Sequence, residues 1–253
     1  MRQVSDKDYT EEYYQFHERY TEKEREFIKT RNEEVTNLVL PKKGDFILDL
    51  GCGIGTFTIE CAKRGAFTVG LDFSEPATKT ARRRAVLSNS SGNSEIIRGD
   101  VTHLSFKPET FDLLIIADLV EHLYEEQYKK TIKEWYRVLK KNGKVMLLTP
   151  NTNCLFEKFP SLLKPLLIVM KDKEMLKHLS SFSYLHVSLK PLKYLLESLK
   201  ENGFSLMHIS YYQIASKGFI FKIIAFLRTK SPRWIKERVE SLFYQQISLL
   251  AKK

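Results

Sequence analysis

Short apolar runs alternate with segments of helical spacing from residue 46 to residue 149. Five runs predict buried β-strands: Phe46–Leu50, Phe67–Asp72, 95–98, Phe111–Ala117 and 144–149. Turn residues and helix signals stand between consecutive runs. Strands that alternate with helices in this way predict right-handed crossovers and therefore a mostly parallel, doubly wound α/β sheet.

The segments between these runs carry the start and stop signals of helices. Thr56 and Ser74 each stand where a helix cap is expected, and the first helix is expected to run to Arg64. Residues 124–140 repeat apolar side chains at helical spacing, which predicts an amphipathic helix. Asn142-Gly143 is expected to end that helix.

The pattern changes after the fifth strand. Residues 191–202 predict a helix, and residues 204–214 and 245–252 predict two more strands. Two basic, apolar segments, at about 152–188 and 217–243, separate these elements. We interpret both segments as helical cap insertions on an otherwise finished sheet.

The first 40 residues are dense in charge and rich in tyrosine, including Tyr13, Tyr14 and Tyr20. They predict one or two helices laid over the rest of the molecule. We therefore interpret residues 1–40 as an N-terminal helical cap and residues 41–253 as one α/β domain that carries the insertions. A chain of 253 residues suits that organisation.

Three cysteines, Cys52, Cys61 and Cys154, make an odd and sparse set. Such a set does not form a disulfide framework and fits a reducing compartment. The charged start lacks the apolar core of a signal peptide, and no stretch reaches the roughly 20 apolar residues of a membrane span. We therefore expect a cytoplasmic protein.

The net charge of +10 is unevenly distributed along the chain. Residues 1–151 hold 24 basic and 24 acidic residues, whereas residues 152–253 hold 17 basic and 7 acidic residues. A basic face of this kind fits nucleic acid, anionic lipid or an acidic substrate. It also fits a surface charge that serves solubility alone.

A glycine-rich segment lies directly between the first strand and the following helix. It contains Gly51, Cys52, Gly53 and Gly55, and it allows a sharp turn and close approach of a ligand. Ligands of doubly wound sheets bind at such a turn. The G-x-G-x-G spacing departs from the dinucleotide pattern, because Thr56 holds the position of its third glycine. A tight turn without a ligand is the alternative.

Acidic residues fall at the carboxyl ends of four predicted strands: Asp49, Asp72, Asp100 and Asp118. Asp72 follows Gly51 by 21 residues, and a carboxylate there accepts hydrogen bonds from a ribose diol. Asp100 can accept from an adenine amino group while the amide of Val101 meets a ring nitrogen. Phe73 adds a flat apolar surface. Each acid alone also suits an ordinary turn.

Five segments taken in order, ILDLGCGIGTFTIE, VGLDFSE, RGDVTHLSF, FDLLIIADLVEHLY and GKVMLLTPN, resemble the successive motifs of class I S-adenosylmethionine-dependent methyltransferases. They cover about residues 46–151. The resemblance implies a Rossmann-like, seven-stranded sheet that is mostly parallel, with an antiparallel last strand and helices on both faces. It also implies that S-adenosylmethionine is the cofactor and S-adenosylhomocysteine the product.

The same resemblance implies roles for the site residues. Residues 51–55, Cys52 included, would pass under the methionine part of the cofactor. Asp72 would hold the ribose, beside Phe73, and Asp100 and Val101 would hold the adenine. Asp49 and Asp118 would line the amino-acid end.

Asp118-Leu119-Val120-Glu121-His122, followed later by TPN, resembles the small-molecule branch, which includes the O-methyltransferases of ubiquinone biosynthesis. Some relatives hold a divalent metal on Glu-x-x-Glu-His and a later histidine, for which His186 is the candidate. Here Asp118 replaces the first glutamate, which counts against a metal. Glu121 and His122 would otherwise open the next helix and line the pocket.

His122 is the candidate general base, because an imidazole titrates near neutrality. The N-terminal tyrosines would cover the sulfonium by cation–π contact or act as core residues. The predicted function is methylation of a small, lipophilic acceptor, with peripheral contact to a membrane surface. The alternatives are an RNA or tRNA methyltransferase and a non-catalytic cofactor-binding protein. The basic excess lies among apolar residues, which disfavours nucleic acid.

Overall fold

The computed structural model of the protein describes residues 22–154, 187–212, 232, 241, 244 and 246–253, with side chains from residue 29 onward. Within these residues there are five α-helices: α1 (Glu22–Val39), α2 (Thr56–Lys63), α3 (Glu75–Leu87), α4 (Glu125–Val138) and α5 (Leu192–Glu201). The same residues form seven strands: β1 (Phe46–Leu50), β2 (Phe67–Asp72), β3 (Ser94–Arg98), β4 (Phe111–Ala117), β5 (Leu139–Pro150), β6 (Ser205–Tyr212) and β7 (Gln246–Lys252).

Several predictions fall outside the described residues. These are the contacts of Tyr13, Tyr14 and Tyr20, the position of His186, and most of both predicted insertions. The division into a cap over residues 1–40 and a domain over residues 41–253 stays a prediction. No helix in the described ranges is long and apolar enough to cross a membrane.

The described strands form one sheet in the order β3-β2-β1-β4-β5-β7-β6. Strands β1 to β5 pair in parallel, whereas β7 runs antiparallel to both β5 and β6. The predicted seven-stranded, doubly wound sheet with an antiparallel last strand is confirmed. The order reverses at β1, since β2 lies on one side of it and β4 on the other.

Alternation along the strands divides the core between two faces of the sheet. In β1, Ile47 packs with residues of α1 and α2, whereas Leu48 and Leu50 pack with residues of α4 and α5. Trp135 and Tyr128 of α4 are fully buried in the second cluster. Since successive side chains of a strand point to opposite faces, Asp49 lies on the α2 side, with Ile47.

Three predicted boundaries are wrong in detail. The residue that caps α2 is Gly55, in a left-handed conformation, and Thr56 is the first helical residue. Helix α4 ends at Val138 because Leu139 already pairs with Phe111, so β5 begins five residues before the predicted start at residue 144. Ser74 does cap α3, and its hydroxyl accepts from the amide of Ala77 at 3.3 Å.

Candidate active site

The candidate site lies at the carboxyl ends of β1 and β4, where the strand order reverses. Connections leave these two strands in opposite directions, which opens a crevice in doubly wound sheets. The two connections touch at the base of the crevice. A Cβ added to Gly51 would lie 3.0 Å from Cδ1 of Leu119, so only glycine fits between them without displacement.

The glycine loop, residues 51–55, adopts a conformation that favours glycine at three positions. Gly51, Gly53 and Gly55 have φ angles of 71°, 51° and 78°. Among the described residues, no atom lies within 4 Å of the place where a Cβ on Gly53 would stand. The backbone at Gly53 therefore borders open space, as close approach of a ligand requires.

Strand β2 and helix α3 hold this loop in place. The amides of Gly51 and Cys52 donate to the carbonyl oxygen of Leu71 at 2.8 and 3.1 Å. Arg84 of α3 donates to the carbonyl oxygen of Ile54 at 2.6 Å. The loop is therefore fixed by the fold of the chain itself.

Asp49 is buried beneath the start of α2. Its Oδ2 accepts from the amide of Thr58 at 2.9 Å and from the Thr58 hydroxyl at 2.6 Å. Burial raises the pKa of this carboxyl to about 7, and the bonds from Thr58 oppose that rise. The Asp49 carboxylate therefore points towards α2. The contact of Asp49 with a ligand stays a prediction.

Asp72 joins the end of β2 to the glycine loop. Its Oδ2 accepts from the amide of Gly53 at 2.8 Å, and its Oδ1 accepts from the amide of Ser74 at 2.9 Å. Burial raises the pKa of this carboxyl, against the hydrogen bonds from the Ser74 and Gly53 amides. Each carboxylate oxygen has a second acceptor position, so Asp72 retains capacity for a hydroxyl donor.

Phe73, Asp100 and Val101 extend the site along the ends of β2 and β3. Phe73 is 38% exposed, and Val101 is buried. Asp72 is in register with Arg98, which places the exposed Asp100 just beyond the neighbouring strand end. Oδ1 of Asp100 accepts from the amide of Thr102 at 2.8 Å. The structure therefore brings these predicted residues to one edge of the sheet.

Asp118 directly follows β4, has a φ of 51° and meets two residues that the sequence did not reveal. Arg31 of α1 lies with its Nη1 3.2 Å from Oδ2 of Asp118, and Gln246 of β7 donates to Oδ1 at 3.0 Å. Arg31 also donates to Oε1 of Gln246 at 2.8 Å. A cation and an anion thus stand side by side at this corner of the crevice.

The turn after β4 carries both Glu121 and His122. Glu121 is buried and accepts from the Thr149 hydroxyl at 3.0 Å. Burial and then the neighbouring Asp118 raise the pKa of its carboxyl to about 8. His122 is half-buried beside it. In the described part of the chain no group of three or more histidine, cysteine or acidic side chains is arranged to hold a metal.

The two ends of the first predicted insertion meet this turn, and the end of the second meets Asn151 nearby. Thr149 precedes the first insertion, and the amide of Ser188, at its end, donates to the carbonyl oxygen of Glu121 at 3.1 Å. The Asn151 amide group donates to the carbonyl oxygens of Ser241 and Tyr244, at the end of the second insertion. The described ends of both segments therefore lie beside the candidate site.

Comparisons with known proteins agree with this geometry. The model of a methyltransferase domain family matches residues 47–143. The chain is 31% identical over 176 residues to a demethylmenaquinone methyltransferase of Lactobacillus johnsonii, which covers 64% of this chain and 69% of that protein. It is 32% identical over 111 residues to a ubiquinone biosynthesis O-methyltransferase of Coxiella burnetii, covering 44% of this chain and 46% of that protein.

A solved structure has the same fold. It is an S-adenosylmethionine-dependent methyltransferase from Archaeoglobus fulgidus, with a TM-score of 0.61 and 21% sequence identity. The superposition covers 91% of this chain and 97% of that one. At this identity the likeness establishes the arrangement of strands and helices.

Replacing Glu121 by glutamine is expected to raise the free energy of unfolding more at pH 8 than at lower pH. Up to its raised pKa of about 8, the folded carboxyl keeps a proton that the unfolded chain releases. The free energy of unfolding of the wild type therefore falls as the pH rises from the ordinary pKa of this carboxyl, 4.5, to about 8. This group contributes at most about 1.4 kcal/mol per pH unit to that fall. The glutamine still accepts from Thr149 but does not titrate.

Urea unfolding at about pH 5 and about pH 8 measures this difference. The exposed Glu126→Gln is the matched control and is expected to have the same effect at both pH values. Contributions from Asp49 occur in wild type and variant alike and cancel. An effect of E121Q that is independent of pH would contradict the raised pKa.

Proposed function

The chain belongs to the class I S-adenosylmethionine-dependent methyltransferases, and from that membership we propose that its acceptor is a small, lipophilic molecule of the quinone type. The names of the two relatives, which refer to menaquinone and ubiquinone, support this class of acceptor. The observation that carries the proposal is the position of the turn bearing Glu121 and His122. It directly follows Leu119, which meets Gly51 of the glycine loop, and its Glu121 bonds to Thr149 and Ser188 at the two ends of the first insertion.

The residues of the crevice fit the nucleoside part of the cofactor. Gly53 borders open space, and the Asp72 carboxylate stands beside it with acceptor positions for a ribose diol. Phe73 offers an exposed ring, and Asp100 and Val101 follow at the next strand end. When bound, S-adenosylmethionine supplies an already activated methyl group on a sulfonium, so the chain needs chiefly to orient the two substrates.

The corner at Asp118 fits the amino-acid end of the cofactor. That end carries both an ammonium and a carboxylate, and the protein offers an anion at Asp118 and a cation at Arg31. We propose that Asp118 accepts from the ammonium while Arg31 meets the carboxylate. Gln246 holds both side chains at this corner.

Acceptor chemistry is assigned to His122. A hydroxyl acceptor must lose a proton as the methyl group arrives, and an imidazole near neutrality is suited to take it. Glu121 is too deeply buried to meet a substrate and supports the turn through Thr149 and Ser188. This role for His122 does not require a metal bound by Asp118, Glu121, His122 and His186.

We also propose that the two insertions bring the enzyme to an anionic membrane surface. The segments LLKPLLIVMK and FIFKIIAFL combine apolar residues with basic ones, a composition suited to the interface of a bilayer. Both segments lie outside the described residues. The flanking residues Ser188 and Ser241 bond to Glu121 and Asn151, and we propose that a lipophilic acceptor enters on this side.

Asp72→Ala is expected to weaken the binding of S-adenosylmethionine by about tenfold or more, since a charged hydrogen bond contributes roughly 1.5–3 kcal/mol. Isothermal titration of wild type and variant measures the change. Asp112→Ala, at the opposite end of β4, is the control and is expected to bind as wild type. An unchanged affinity of folded D72A for S-adenosylmethionine would contradict the role of Asp72 in cofactor binding. Tighter binding of NADH than of S-adenosylmethionine by the wild type would contradict the choice of cofactor.

His122→Ala is expected to lower the rate of methyl transfer while leaving cofactor affinity unchanged. A general base contributes a factor of about 10² or more, so the loss is large if the acceptor is a hydroxyl. Transfer of labelled methyl groups into lipid, quinone and RNA extracts identifies the acceptor class, and His103→Ala is the control histidine. Label that enters RNA alone would contradict a lipophilic acceptor.

The membrane proposal predicts that the protein co-sediments with anionic liposomes at low salt and is released at high salt. Each basic residue near an anionic surface contributes about 1 kcal/mol, and salt screens that attraction. Equal binding to neutral liposomes would remove the electrostatic part of the proposal. An absence of binding at low salt would remove the whole of it.

A further inference from the structure

Lys190 is a buried lysine at the end of the first insertion. It is 3% exposed, and its ammonium donates to the backbone carbonyl oxygens of Val120, Leu123 and Ser188 at 2.9, 2.8 and 3.1 Å. Its Nζ also lies 5.0 Å from the centre of the Tyr128 ring. The three donors of the ammonium therefore all have a backbone acceptor.

Two of these carbonyls bracket the turn that carries Glu121 and His122. Val120 precedes that pair and Leu123 follows it, so one side chain fixes both ends of the turn. The amide of Ser188 adds a bond to the carbonyl oxygen of Glu121. The segment from Ser188 to Lys190 thus holds the turn through three hydrogen bonds.

A lysine is a costly residue for this position. Burial lowers the pKa of Lys190 to about 8, against the attraction of Glu125 and Glu121. A buried charge is tolerated where hydrogen bonds satisfy it. If the charged group is removed, its hydrogen-bond partners stay buried without a donor, which is also unfavourable. Here the partners that would lose their donor are the backbone carbonyls on either side of His122.

We propose that Lys190 is a positioning residue for methyl transfer, which sets the placement of His122 by clamping the turn between Val120 and Leu123. This inference rests on the proposed role of His122. It assigns no contact between Lys190 and either substrate. The clamp couples Ser188 and Lys190 to the residue that would take the acceptor's proton.

Lys190→Met tests the clamp, because methionine fills a similar volume without a donor. Lys193→Met is the matched control, since Lys193 is an exposed lysine three residues further on that pairs only with Glu197 among the described residues. We expect K190M to lower kcat by about tenfold to a hundredfold, the scale on which a small misplacement acts. The dissociation constant for S-adenosylmethionine should be unchanged. K193M should match wild type in both.

The NMR resonance of the His122 imidazole gives a readout that does not depend on turnover. The clamp predicts that this resonance shifts in K190M, is unchanged in K193M, and moves part of the way back in Lys190→Gln, which keeps two donors. A folded K190M with the wild-type His122 resonance and kcat would overturn the proposal. Parallel losses of cofactor affinity and kcat in K190M and K190Q would also overturn it, because they indicate a general disruption of the fold. Failure of wild type to transfer methyl groups would count against the proposed function alone.

Discussion

The reversal of strand order at β1 creates the crevice around which the candidate site is arranged. The chain leaves β1 towards β2 and β3 and returns on the other side as β4, so the connections after β1 and β4 diverge. Their bases touch where Gly51 meets Leu119, and the crevice opens above that contact. The glycine loop and Asp118 border the crevice because each directly follows the carboxyl end of one of these two strands, and the turn that carries His122 continues from Asp118.

The side of the crevice that carries the glycine loop is organised by hydrogen bonds within the chain. The amide of Gly53 is directed to Asp72, and Arg84 holds the carbonyl oxygen of Ile54. A loop fixed in this way loses little further freedom when a ligand binds, which favours affinity. The turn after β4 is held in the same way, since Glu121 accepts from Thr149 and the nearby Asn151 donates to the carbonyl oxygen of Tyr244, 93 residues away.

Strands β1, β2 and β4 begin and end where the apolar runs predict, because each run is bounded by residues that suit turns. The acids of the site were predictable for the same reason: they follow the strand ends. Helix α4 ends before the predicted residue 140 because Leu139 pairs with Phe111, a contact that no local pattern indicates. Arg31 and Lys190 were missed because their partners lie 87 and about 70 residues away, and an isolated basic residue in sequence suggests a solvated side chain.

Amide hydrogen exchange with and without S-adenosylhomocysteine tests most directly the claim that the cofactor lies along this edge of the sheet. A cofactor bound along this edge is expected to slow exchange at residues 51–56, 73–74 and 100–102. Residues 42–45 and 107–110, at the amino ends of β1 and β4, should exchange at the same rate in both states. Protection confined to those amino ends, or no protection at a saturating concentration of S-adenosylhomocysteine, would show that the cofactor does not lie along this edge.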